Sequence, residues 1–439
     1  MPMDDGFAAL PEHLLYEVLS RVGNVKDLFM FAVTCRRWLR RFTDPAFLRR
    51  LCPGHAARLL GFLSQKTEHG TTVLAPAFFP APGSPLGPTS RALTSFVAAA
   101  DGNTFSDAKP LAARRGIVLM MQLGPRTSER TSTSLLLLGL CNPITGERHA
   151  LPPLEWRCGR DAPSYDVMLG CAIITAADSD DGIDLKQPPP SSSSSGRRFT
   201  FSQLLLIVEN GGELCIHSYS AATCSWSMPV DICLDIRQPR ISLAGVVGNF
   251  DARSAVVHRG AARWLCVNDT GGDDSLYKLS VKAGTTSVSL AKLPVRGGGK
   301  PFLCVTREGK LAVVSVHTSY VTVWTRQGGD DTPAAWPCTA AFIVPAVAPY
   351  PYLPLSSYEW FDFSRGAMLL VHKQTGIVFI LDLEKKVMEK VMDCPLLPRN
   401  LVHQTPVPYE MDLVDFFGLC RGPRKYYLRC RRPLQIKKE

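Results

Sequence analysis

The sequence reads as a small all-α module followed by a large all-β domain. Three observations carry this reading. Apolar residues in about the first fifty positions recur at helical spacing. From Ile117 onward, short apolar runs are separated by Gly, Pro, Asp and Ser. Long helical patterns are absent from that second region. At 439 residues the chain is also too long for one ordinary domain, so one small and one large unit are expected.

The helical module spans 8–52. Leu14, Leu15, Val18, Leu19 and Val22 define one broad apolar face. Pro11 fits a first helical turn, where a missing N–H costs nothing, and Gly23 stops the helix. Asn24 is an N-cap for a second helix, with Asp27 complementing its dipole. Leu28, Phe29, Phe31, Ala32 and Val33 make that helix apolar almost all round. A third short helix over 36–41 turns Trp38 and Leu39 inward. Asp44-Pro45 opens a last turn anchored by Phe47, Leu48 and Leu51. So small a unit builds a marginal core. A face this wide either packs on the next domain or is held for another protein, and spacing alone leaves the two readings level.

The segment from Leu10 to Leu51 resembles an F-box, which docks a substrate receptor onto the Skp-type adaptor of a cullin–RING ubiquitin ligase. The resemblance is carried by Leu10-Pro11, by Leu14-Leu15 with Val18-Leu19-Ser20-Arg21, and by Leu28. Cys35-Arg36-Arg37-Trp38 and Asp44-Pro45-Ala46-Phe47 complete it. Val22-Gly23 departs from the Leu-Pro usual there and puts a small side chain at the junction. The resemblance implies that Leu10, Pro11, Leu14, Leu15, Val18, Leu19, Leu28 and Trp38 sit at or behind the adaptor surface. Burying half a dozen such residues is worth about 10 kcal/mol gross, much of it offset by association entropy. What remains suits a stable but exchangeable complex.

The β-region contains too many short strands for a single sandwich. Prolines 76, 80, 82, 85 and 88 make 53–110 read as a linker and irregular first edge, with the β-domain over 111–419. One repeat unit stands out. Leu204–Val208 is followed by Gly211-Gly212, then Tyr219, then Trp226. This layout resembles a kelch blade, with the glycine pair making a tight turn and the aromatics filling the wedge between blades. Partial copies occur at Gly271-Gly272 with Tyr277, at Leu311–Trp324 and at Met368–Leu383. Units begin about 50 residues apart, as propeller blades do. The expectation is a β-propeller of about six blades, five or seven being the alternatives.

Asn142-Pro143-Ile144-Thr145-Gly146-Glu147, then Leu151-Pro152-Pro153-Leu154, resembles a turn found in plant F-box proteins after the F-box. Pro143 and Gly146 shape a turn between strands. A low-complexity insertion covers 178–198, with Asp178, Asp180, Asp181, Asp184 and the serines 191–195. Its register fits a calcium loop poorly, and it reads better as a disordered segment open to phosphorylation.

A formal charge of +10 concentrates in the tail 420–439, which holds eight Lys/Arg from Arg421 onward. A solvated basic terminus is the plainest account, with nuclear import or phosphate binding as the sharper ones. The fourteen cysteines include no C-x-x-C pair, so neither a zinc module nor any other metal or cofactor is expected. Reduced thiols point to the cytoplasm or nucleus. Asp4 and Asp5 speak against a secretory signal, and no apolar run approaches a membrane span. Gly297-Gly298-Gly299-Lys300 lacks the spacing of a phosphate loop and reads as a link between blades. No catalytic motif is found.

The sequence therefore leads to a non-catalytic receptor subunit of a Skp–cullin–F-box ligase whose β-domain binds an unknown target protein. A nucleic-acid or chromatin factor acting through the tail is one alternative. A propeller enzyme or sugar-binding module is another, and a cluster of titratable groups in the central channel is what would favour it.

Overall fold

A computed structural model describes most strand-bearing residues from Arg58 to Met411 and, before them, His13, Leu14 and Glu17. The longest stretches outside this description are 18–57, 179–200 and 412–439. The described strands form a six-blade β-propeller. Blade 2 runs outward from Lys109–Arg114 through Ile117–Leu123 and Thr133–Asn142 to Glu147–Ala150 and Leu154–Arg157. In blade 3 the strands are Met168–Thr175, Phe201–Asn210 and Glu213–Ser220, then the pieces Ser225–Trp226 and Val230–Asp231. The inner position of blade 4 is divided between Ile241–Leu243 and Val256–His258, both antiparallel to Ala261–Asn268. Ser275–Lys282 and Val288–Arg296 complete that blade. Blade 5 comprises Lys300–Val305, Leu311–Val316, Tyr320–Thr325 and Cys338–Ile343, and blade 6 comprises Tyr358–Phe363, Ala367–His372, Ile377–Asp382 and Val387–Asp393.

Blade 1 closes the ring from both directions of the chain. Its innermost strand is Val407–Met411, antiparallel to Arg58–Ser64, and Ala77–Pro80 and Arg91–Ala92 follow outward. Ring closure leaves no free face between first and last blades. Tyr409, fully buried on the closing strand, donates its hydroxyl to the Gly116 carbonyl at 3.1 Å and ties blade 1 to blade 2. Within 53–110, expected to be a linker and irregular first edge, Arg58–Ser64, Ala77–Pro80 and Arg91–Ala92 are strands of blade 1, and Lys109 and Pro110 belong to blade 2. Of the prolines behind that reading, Pro76 and Pro80 flank and end a strand without interrupting its pairing. Pro110 sits at a register shift.

Each central strand is covered on both faces, which explains its unbroken apolar run. Side chains alternate between seams. In blade 3, Leu204, Leu206 and Val208 join the cluster shared with blade 2, while Leu205 and Ile207 join the one shared with blade 4. Blades 5 and 6 share a third cluster, which includes Val314, Val316, Trp360 and Phe379. A fully buried Leu or Ile contributes about 1.5–3 kcal/mol gross.

The seam between blades 2 and 3 holds the aromatics singled out from sequence. Tyr219 and Trp226 are cross-strand partners in an edge contact, centroids 5.3 Å apart, and Phe201 stacks on Tyr219 at 6.1 Å. His149 of blade 2 lies 3.0 Å from the Tyr219 hydroxyl through Nε2. The Trp226 indole N–H donates to the Pro152 carbonyl at 2.8 Å. The Leu151–Leu154 segment therefore serves as the dock for the blade 3 tryptophan. The preceding Asn142…Glu147 segment is a hairpin turn, with those two residues paired across it. Thr375-Gly376 is likewise a strand-to-strand turn, and Gly376 takes the left-handed φ of +70° that it demands. Gly299, at φ +89°, passes so close to the Val316 carbonyl that a Cβ would lie 2.4 Å from it. Gly299 thus makes a tight approach to blade 5 just before its first strand, Lys300–Val305.

Candidate functional site

Of the residues expected at the adaptor surface, only Leu14 lies among those described. His13, Leu14 and Glu17 are helical and exposed, and Leu14 keeps 38% of its surface open. Leu10, Pro11, Leu15, Val18, Leu19, Leu28 and Trp38 lie outside the described residues, as do the serines 191–195 and the basic tail.

The second candidate region is the channel bounded by the six inner strands. At one end, Asp362 of blade 6, Glu410 of blade 1 and Arg114 of blade 2 are close enough to feel one another's charge. Asp362 meets solvent inside the channel yet is ringed by protein. Burial, then the Glu410 charge, pushes its carboxyl up to about 8, against the Val305 backbone hydrogen bond and the Arg114 charge.

Arg114 is itself committed elsewhere. Its two terminal nitrogens grip both Asp178 oxygens at 2.6 and 2.7 Å, and one also donates to the Ile173 carbonyl at 3.2 Å. The Thr175 N–H and hydroxyl donate to the same carboxylate at 2.7 and 2.8 Å. Burial would raise the Asp178 pKa. The Arg114 fork and charge, the Arg115 charge and the Thr175 N–H outweigh it and hold the carboxyl below its ordinary value. Asp178 is therefore the buried anchor of a clamp between blades 2 and 3, and it pins the start of the acidic, serine-rich insertion. At the opposite end of the inner strands, Glu359 takes Lys373 at 2.8 Å and Lys300 at 3.9 Å.

The chemistry open to these groups is limited. Among the described residues no cluster of His, Cys, Asp or Glu could hold a metal ion. Burial pushes the Cys141, Cys171 and Cys266 thiols up to about 12 and Cys304 well above its ordinary value, so they are protonated packing residues. The channel does hold titratable carboxyls. Sequence reasoning missed Asp362 and Glu410 and read Asp178 only as part of an acidic run. The available signal was faint: a single charge inside a short apolar strand, as in Tyr358–Phe363 and Val407–Met411.

Residues 7–53 match the F-box-like family model. The chain carries an F-box-like domain. The match agrees with the expected module to within a residue at each end. No curated protein matches the sequence. The similarity to solved structures is loose. TolB from Acinetobacter baumannii is 11% identical with a TM-score of 0.40, over 85% of this chain and 73% of that one. The Nidogen/Laminin complex is 9% identical with a TM-score of 0.36, over 76% and 92%. The α-L-arabinofuranosidase Arb93A of Fusarium graminearum is 10% identical with a TM-score of 0.37, over 69% and 82%. A likeness this distant carries neither ligand nor activity across. Among the described residues no helix is long and apolar enough to cross a membrane.

Proposed function

We propose that the protein is the substrate-receptor subunit of a Skp–cullin–F-box type ubiquitin ligase. The observation that carries this reading is the pairing of an F-box-like domain with a six-blade propeller in one chain. In this reading the N-terminal helices dock on a Skp-type adaptor and through it on a cullin–RING scaffold. The propeller holds a target protein near the charged ubiquitin carrier. Ubiquitin transfer then speeds up because the target's effective concentration rises. The chain itself supplies no catalytic group. The finer kinship, with plant F-box proteins bearing a kelch-like domain, draws on the Gly-pair and Tyr219/Trp226 layout of blade 3. Cytoplasmic or nuclear residence follows from the same reading.

The test is co-purification with a Skp-type adaptor. Alanine at Leu15 and Leu19 together should abolish it while the propeller unfolds at an unchanged temperature. Adaptor capture by the double variant at wild-type level would refute the assignment.

A further inference from the structure

We propose that the outer edge of blade 5 is a docking site for an extended segment of a partner protein, which adds to the sheet as a fifth strand. The argument starts from how propellers guard their rims. An outer strand presents unpaired backbone N–H and C=O groups, and proteins blunt such edges with short strands, prolines, charges or bulges. Five rims here are blunted. Blade 1 ends in a two-residue strand, Arg91–Ala92. Blade 2's outer strand is broken at Pro152-Pro153, and blade 3's at Pro229. Val288–Arg296 of blade 4 carries Lys292, Pro294 and Arg296, and Val387–Asp393 of blade 6 carries Glu389, Lys390 and Asp393.

Blade 5 differs. Cys338–Ile343 reads Cys-Thr-Ala-Ala-Phe-Ile, six residues with no charge and no proline. Its single register shift lies at the Cys338 end, so Ala340–Ile343 runs in regular pairing with Tyr320–Val323. Cys338, Thr339, Ala341 and Ile343 are exposed, Ile343 by 76%. Tyr320, its cross-strand partner, is 41% exposed and stacks on His317 with centroids 4.1 Å apart. An open backbone ladder and an apolar pair on the flank are what strand addition uses: main-chain bonds for affinity, side-chain contacts for choice.

Charge identifies the occupant. Lys386 rises from blade 6 to 5.9 Å from the Phe342 ring centroid, and Lys385 beside it is exposed. The neutral strand is thus flanked by positive charge, which suits an apolar or β-branched segment with acidic ends. A second copy of this chain fits worse. Edge-to-edge pairing would bring two copies of the same strand together, each with its own flanking Lys385 and Lys386. Calling that partner a ligase target rests on the receptor reading above, whereas the docking chemistry does not.

The experiment uses the full-length protein and a fluorescent nine-residue peptide of alternating Val and Thr, with a glutamate pair at each end. Binding is read by anisotropy. N-methylating alternate peptide amides, Ile343→Lys and Ala341→Lys should each weaken binding on the order of tenfold. Lys386→Glu should weaken it less and recover with a lysine-ended peptide. No measurable binding, or binding indifferent to both N-methylation and Ile343→Lys, overturns the proposal. So does sedimentation showing a wild-type dimer that Ile343→Lys disperses. Leu15→Ala with Leu19→Ala should keep peptide binding and lose the adaptor. Adaptor capture and peptide binding can therefore fail separately, each sinking only its own claim.

Discussion

Blades 3 and 5 share a strand order and a packed centre, yet their rims behave in opposite ways. Blade 3 spends its aromatics on closure. Tyr219, Trp226 and Phe201 fill the seam, and Trp226 is bonded into blade 2. Its outer strand is broken at Pro229 into two short pieces. Blade 5 turns its aromatic Tyr320 and its Ile343 to solvent beside an unbroken outer strand. A propeller seam is thus defined by aromatic side chains with partners on the next blade. A docking edge is defined by what it lacks. The same β-rich composition can serve stability at one blade and recognition at another.

The comparison is broken most directly at the seam. Tyr219→Ala should cost about 3–5 kcal/mol, since it empties a fully buried wedge and strips His149 of its hydroxyl partner. Urea unfolding would measure this, and a loss below about 1 kcal/mol would mean that the seam collapses to fill the space. Asp178→Ala should be of similar size, about 3–5 kcal/mol, because it leaves Arg114 without its fork partner in a mostly buried clamp. Trp226→Phe keeps the ring and removes one hydrogen bond, for about 1 kcal/mol. At blade 5, Ile343→Lys should stay within about 0.5 kcal/mol of wild type, because the side chain is already in solvent. A large loss there would show that Ile343 is a core residue and erase the contrast.

The pH profile separates interior from rim in a second way. Burial lowers the His372 pKa below its ordinary 6.5, and the Thr375 N–H donates to its Nδ1 at 3.2 Å, which leaves the proton on Nε2. Burial lowers His217 too, against the Asp231 charge. Below pH 6.5 the unfolded chain binds these protons and the folded chain does not. Stability should therefore fall as pH drops through that value and level off below the folded pKa values. Asp362 works in the opposite sense. Its raised pKa means that the folded form holds a proton the unfolded form has lost, so stability declines as pH rises from about 4 toward 8. Asp362→Asn should consequently raise the melting temperature at pH 8 and change it little at pH 4. An equal effect at both would remove the channel charge from consideration.

The legible parts of the sequence were those governed by local patterning. Helical spacing and a string of short motifs located the F-box-like domain, because neighbours in sequence build that module. The run Leu204–Val208 with Tyr219 and Trp226 located one blade and its wedge, since buried strands must be apolar on both faces. The repeat spacing left five, six or seven blades open, and the ring settles the number at six. The start of the propeller was missed at Arg58, because prolines mark a linker only when they interrupt pairing, and Pro80, at a strand end, does not. Tertiary structure alone decided that the last strand closes the first blade, that Asp178 meets Arg114 sixty-four residues away, and that Asp362 of blade 6 comes within reach of the charge on Glu410 of blade 1. It also decided that one rim of six stands open. The reason is physical: a strand's own pattern fixes which side chains avoid water, whereas the charge it meets and the edge it exposes depend on where the ring brings distant strands together.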